Sequence, residues 1–142
     1  WFGRANPFTF QVKQLDWSST ASRFDMGTPP VVNAYIARAG MAIINEIGVD
    51  HIRPWLEVLG QRLIDGGAER GFALHGTTDM SHKTATTAFI VGDSPSVELT
   101  MRRRGIVPSA RGPVIRLSPH FYNTIADVDT ALDVLASVIP NR

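Results

Sequence analysis

Apolar residues recur at helical spacing from position 31 onward. Val31, Val32, Tyr35, Ile36, Ala39, Ile43, Ile44 and Ile47 predict a helix over 31–47, stopped by Gly48. The residues are apolar around much of its girth, so this helix is expected to be deeply buried. Ile52, Trp55, Leu56, Leu59 and Leu63 mark one face of a second helix, about 50–65, with Asp50 as cap and Gly66-Gly67 as stop. Past residue 67 the character changes. Phe72 to His75 and Thr86 to Val91 read as strands, and Gly92-Asp93-Ser94-Pro95 leads into a helix over 95–104 that ends at Gly105. Ile106-Val107 and Val114 to Leu117 are the next strands, and Ser118 to Asn123 is a loop. Thr124 with Asp127 forms a capping box ahead of a helix striped by Val128, Ala131, Leu132, Leu135, Val138 and Ile139. This order predicts an α+β layer: a small sheet of three to four mostly antiparallel strands, covered by helices on one face. Before it come a long buried helix and an extended N-terminal arm.

The arm, residues 1–30, carries Trp1, Phe2, Phe8, Phe10, Trp17 and Phe24 without periodicity. So many large apolar groups are expected to pack on another surface, either a further domain or a second subunit. The organisation expected is therefore an arm (1–30), a helical connection (31–67) and a small C-terminal α+β domain (68–142). The 142 residues are 44% hydrophobic, enough for one real core. The net charge of +1 implies no strongly basic face, and nucleic acid is not an expected partner. Arg102-Arg103-Arg104 reads as a solvated last turn that complements the helix dipole. The chain has no Cys, which excludes disulfides, thiolate metal sites and a Cys nucleophile. No apolar run is long enough to span a membrane.

Two places suggest ligand chemistry. In Gly27-Thr28-Pro29-Pro30, Thr28 fits a helix N-cap with Pro29 at the first helical position. A helix N-terminus collects unpaired N–H groups and positive potential, so a phosphate binds there readily; an ordinary helix start is the alternative. The second is Arg116, inside the apolar run Val114-Ile115-Arg116-Leu117. A buried guanidinium needs a planar acidic partner, supplied by a local Asp or Glu or by a ligand carboxylate. Arg111 reads as an exposed loop arginine and Lys83 as an exposed loop lysine. The four His residues show no metal-ligand spacing; His120 shares a loop with Tyr122 just past Arg116.

Trp1-Phe2-Gly3, Arg23-Phe24-Asp25-Met26-Gly27-Thr28-Pro29-Pro30 and Arg116-Leu-Ser-Pro-His-Phe-Tyr-Asn-Thr, followed by Asp127-Val128-Asp129, together resemble the C-terminal part of class V aminotransferases. These are fold type I enzymes that use pyridoxal 5'-phosphate, and the group includes kynureninase, cysteine desulfurases and isopenicillin N epimerase. The resemblance covers essentially the whole chain, in order. It implies that Gly27 and Thr28 contact the cofactor phosphate of a partner subunit, that Trp1 belongs to the same pocket, and that Arg116 binds the α-carboxylate of an amino-acid substrate. It further implies a cytoplasmic homodimer. In the family the Schiff-base lysine and the Asp paired with the pyridine nitrogen lie upstream. The chain is therefore expected to be a segment of a longer enzyme, inactive alone. Desulfurases carry their nucleophilic Cys in this region, so the missing Cys points to the aminotransferase and epimerase branch, with a kynureninase-type hydrolase as the alternative. Two readings compete with an enzyme segment: a stand-alone, non-catalytic dimerisation or binding module, and an unrelated small α+β domain that binds anions.

Overall fold

The computed structural model describes residues 2–8, 13–28 and 30–139. The chain divides into two units, residues 1–46 and 47–142. In the first, Arg4 and Trp17 form an antiparallel bridge, and the Arg4 guanidinium meets Asp16 at 3.0 Å. One 3-10 turn, Ala21–Phe24, is capped by the Thr20 hydroxyl. Phe8, Trp17 and Phe24 stay largely exposed. Helix α1 spans Val31–Ile47 as the periodicity predicts. The expectation that it is deeply buried is corrected: none of its residues is buried, and Val31, Val32, Tyr35, Ile36, Met41 and Ile43 are each more than half exposed. An apolar stripe makes a helix fit for burial, but a covering surface has to be supplied, and the described residues of the first unit supply none.

That second unit holds α2 (Val49–Glu69), β1 (Leu74–His75), β2 (Thr87–Ile90), α3 (Ser94–Arg103), β3 (Ser109–Arg111), β4 (Val114–Leu117) and α4 (Ile125–Val138). The four strands form one antiparallel sheet in the order β1-β2-β4-β3. The α+β class and the strand count agree with the sequence reading. Register decides the two faces. Leu74, Phe89, Ile115 and Ala110 form one row, and His75, Ala88, Arg116 and Ser109 form the next, on the opposite face. The first row joins the core with Leu59 and Leu63 of α2, Val97 and Met101 of α3, and Val128, Leu132 and Leu135 of α4. Arg62 to Asp129 (2.7 Å) and Arg70 to Asp133 (2.6 Å) clip α2 to α4 at the rim.

Helix α2 does not stop at Gly66-Gly67. Both glycines are buried where other elements come close: a Cβ at Gly67 would lie 2.4 Å from Phe89 Cε1, and one at Gly66 2.6 Å from Leu132 Cδ1. The stop is Gly71, at φ 70°. There the Phe72 amide bonds to Gly67 O and the Gly71 amide to Ala68 O, a Schellman closure. The same closure at Gly105 explains why Ile106-Val107 is not a strand. The Ile106 amide is taken by Met101 O, Ile106 packs on the core, and the strand begins only at Ser109. The capping box forms as read: the Thr124 hydroxyl accepts from the Asp127 amide, and the Asp127 carboxylate accepts from the Thr124 amide at 2.8 Å. No helix among the described residues is long and apolar enough to cross a membrane.

Candidate functional site

Arg116 sits in the middle of β4, on the sheet face turned away from the helices. Its cross-strand neighbours are Ala88 on β2 and Ser109 on β3, and His75 lies one strand beyond Ala88. No residue of the four strands is acidic. Among the described residues no salt bridge includes Arg116, and its Nε is a buried donor without a hydrogen-bond partner. Buried donors are nearly always paired, and an orphan costs about 1–3 kcal/mol. Of the two partners open to Arg116, no local Asp or Glu pairs with it among the described residues.

Arg111 is a strand residue of β3, not a loop arginine. It lies on the same face, diagonal to Arg116, and donates to Ala110 O at 2.7 Å. The nearest acid acting on it, Glu98, is held by Arg102 at 2.9 Å and by the Ala110 amide at 3.1 Å. These bonds keep the Glu98 carboxyl below its usual range.

The loop after β4 is folded back on itself. The His120 amide donates to Asn123 Oδ1 at 2.9 Å, the Asn123 amide to His120 O at 2.9 Å, and Trp55 Nε1 to Asn123 O at 3.1 Å. The His120 ring stacks on Tyr122, 5.1 Å between centroids. Under this loop lies a cavity of about 410 Å³, bordered by Leu63, Ile106, Leu117, Tyr122, Val128 and Ala131. Arg116 does not line it. Asp127 does, but its carboxylate is committed to the helix cap, and the Thr124 amide with Asn123 holds it below the usual carboxylate range.

Lys83 departs from the sequence reading. It is half-buried, its ammonium donates to Thr87 Oγ1 at 2.8 Å, and burial pushes its pKa down. It borders a second cavity of about 190 Å³, with His75, Thr77, Thr86, Thr87 and Ala88. No local pattern announces this; the packing of residues 80–85 onto α2 produces it. The Arg53 guanidinium donates to Lys83 O and Met80 O, and Met80 and Ala85 lie against Gly60.

Gly27 and Thr28 belong to the first unit and are exposed. Helix α1 begins at Val31, so Thr28 precedes it by too far to act as its N-cap, contrary to the sequence reading. Nothing lies within 4 Å of where a Gly27 Cβ would be. Trp1 and Pro29, both in the expected phosphate site, lie outside the described residues.

No family model matches the chain. A protein of Bacillus subtilis named as an uncharacterized aminotransferase is 29% identical over 137 residues, covering 96% of this chain and 35% of that protein. An uncharacterized aminotransferase of Schizosaccharomyces pombe is 23% identical over 124 residues, covering 87% of this chain and 31% of that protein. Among solved structures, an apo cysteine desulfurase from Thermococcus onnurineus NA1 superposes with a TM-score of 0.74 at 21% identity, covering 91% of this chain and 36% of that one. A NifS-like protein gives a TM-score of 0.63 at 21% identity, over 83% of this chain and 36% of that one. The chain spans about a third of the length of the relatives it matches. Its sequence is thus related to proteins named as aminotransferases, and its fold is that of a segment of the cysteine desulfurase and NifS-like structures.

Proposed function

We propose that this chain is the C-terminal segment of a pyridoxal-phosphate-dependent enzyme of the class V aminotransferase family, and that Arg116 binds the carboxylate of its amino-acid substrate. One observation carries the reading: a guanidinium with a buried, unpartnered Nε, on a sheet face without acids. A substrate carboxylate satisfies that donor and forms the bidentate pair for which guanidinium geometry is suited. The relatives named as aminotransferases support the enzyme class. With no Cys in the chain, the desulfurase reaction lacks its nucleophile here, which favours the aminotransferase and epimerase branch. The kynureninase-type hydrolase remains the second reading for the reaction.

In this reading Gly27 and Thr28 approach the cofactor phosphate across a homodimer interface, with Trp1 beside them. The structure is compatible with that role at the two described positions. Gly27 offers an open backbone, and no hydrogen bond among the described residues occupies the Thr28 hydroxyl. When bound, the cofactor supplies an electron sink for charge developing at the substrate's reacting carbon. This segment supplies binding and orientation: Arg116 fixes the carboxylate end of the substrate, and the lysine that carries the cofactor lies upstream. The segment alone is then inactive.

The test uses the longer parent enzyme. Arg116→Ala is expected to weaken amino-acid binding while cofactor loading stays near normal. Loss of cofactor instead refutes the carboxylate role. Thr28→Val is expected to loosen the cofactor, and unchanged cofactor affinity refutes the phosphate contact.

A further inference from the structure

Strand β1 is only two residues long. Leu74 and His75 pair with Phe89 and Ala88, and the pairing then ends, so Thr87 has Leu117 of β4 on one side and no strand on the other. The cavity of about 190 Å³ lies at this open edge, and both Lys83 and Thr87 border it. The half-buried Lys83 ammonium donates to Thr87 Oγ1 at 2.8 Å and forms no salt bridge among the described residues. The charged groups around it are committed elsewhere. On the turn before it, Asp79 is engaged by Ser81 at 2.6 Å and by His82 at 2.8 Å. On α2, Arg53 donates to Lys83 O and is paired with Glu57 at 2.7 Å. On β1, His75 borders the same cavity and brings no negative charge. An ammonium that gives up water without gaining a counter-charge is destabilised relative to the neutral amine. Burial accordingly pushes the Lys83 pKa below the ordinary lysine value.

A desolvated lysine is a nucleophile, because the neutral amine carries the reactive lone pair. Three features of the surroundings suit acylation at this nitrogen. Acylation removes the charge that the fold leaves without a partner. The amide N–H it creates can keep the bond to Thr87, whose own hydrogen is spent on Ala85 O at 3.3 Å and which therefore offers the nitrogen a lone pair. The cavity beside the two residues, with Leu74 and Ala88 in its lining, takes a short acyl chain.

We propose that Lys83 is a modification site, an acyl-acceptor lysine that takes a short acyl group from an acyl phosphate and seats it in the cavity at the open edge of β2. The Nζ lone pair attacks the acyl carbon and the C–N bond forms. The C–O bond to phosphate breaks, phosphate leaves with the electron pair, and the surplus proton on the nitrogen passes to solvent. Nothing is oxidised or reduced. Lys13, the other lysine of the chain, is exposed and serves as the internal reference. The inference is independent of the carboxylate role given to Arg116.

The experiment treats the 142-residue chain with acetyl phosphate at constant ionic strength and reads acetylation at Lys83 and Lys13 by mass spectrometry of chymotryptic peptides. At about pH 7 Lys83 is expected to react at least about threefold faster than Lys13, and the ratio is expected to fall as the pH rises toward about 10, where exposed lysines also lose their proton. In urea-unfolded protein the ratio is expected to fall to about one, because burial is lost. Three results overturn the proposal: Lys13 reacting faster at neutral pH, a ratio independent of pH, or a preference that survives unfolding and so belongs to the local sequence. Amide-resolved NMR of the acetylated chain then tests where the acyl group sits. The His75, Thr77 and Thr87 signals are expected to shift while that of Leu132 in the core stays in place. Shifts confined to residues 82–84 put the acyl group in solvent and overturn its seat in the cavity.

Discussion

Gly67→Ala sets two known effects against each other at one atom. In an open helix the change is favourable by about 1 kcal/mol, because Ala gives up less backbone entropy than Gly. In α2 the added Cβ would stand 2.4 Å from Phe89 Cε1 and 2.7 Å from Cζ. The ring has little room to retreat. Phe89 is 1% exposed, and Phe72 packs edge-on against it with centroids 5.4 Å apart. Overpacking of this kind costs about 1–3 kcal/mol, so the net expectation is a loss of up to about 2 kcal/mol in the 47–142 unit. A decisive comparison adds Phe89→Leu, which removes the Cε and Cζ atoms that the methyl meets. In that background Gly67→Ala is expected to cost much less, or to stabilise. Urea unfolding followed through the core signals of Leu132 and Ile115 measures both changes within the unit concerned. Two results refute the reasoning: a stabilising Gly67→Ala in the parent sequence, or an identical cost in both backgrounds.

Gly71→Ala is expected to destabilise the same unit by about 1 kcal/mol, because φ 70° is a left-handed conformation that a Cβ opposes; the unfolding midpoint in urea reads it directly. Thr124→Ala removes the hydroxyl that caps α4 and is expected to cost about 1 kcal/mol, with Thr124→Ser recovering most of it in the same assay. Asp79, Glu98 and Asp127 all have carboxyl pKa values lowered by hydrogen bonds in the fold, Asp79 chiefly by Ser81, Glu98 by Arg102 and Asp127 by the Thr124 amide. A depressed folded-state pKa stabilises above the unfolded value and loses that contribution as pH falls through the folded one. Thermal unfolding scans are therefore expected to fall below about pH 4, where free carboxyls titrate. Asp127→Asn is expected to flatten that acid limb, and an unchanged limb argues against the cap as its source.

Much of the architecture was legible in local pattern. The stripes of α2 and α4, the β-branched runs of β2 and β4, and Thr124 with Asp127 each act over a few residues, and each formed where it was read. Where two physical roles share one residue type, the reading failed. Gly66-Gly67 looks like a helix stop, but these glycines serve close packing, while Gly71 takes the left-handed stop four residues on from Gly67. Ile106 looks like strand and serves a helix cap. Arg116 was identified as a guanidinium in need of an acid. Its lack of a protein partner depends on which residues four separate strands bring to one face, and no local pattern encodes that.

The sequence by itself determined the α+β class, the positions of the long helices and the candidacy of Arg116, because periodicity, capping and the cost of burying charge are local matters. Only the tertiary structure decided that Arg116 shares a face without acidic strand residues with His75 and Arg111, and that Lys83 is half-buried with its ammonium on Thr87. It also decided that α1 keeps its apolar stripe exposed. The reason is common to all three: burial and charge pairing are properties of neighbours in space, and strand register and chain crossing assign those neighbours between residues well apart in sequence, such as Ala88 and Arg116 or Arg53 and Lys83.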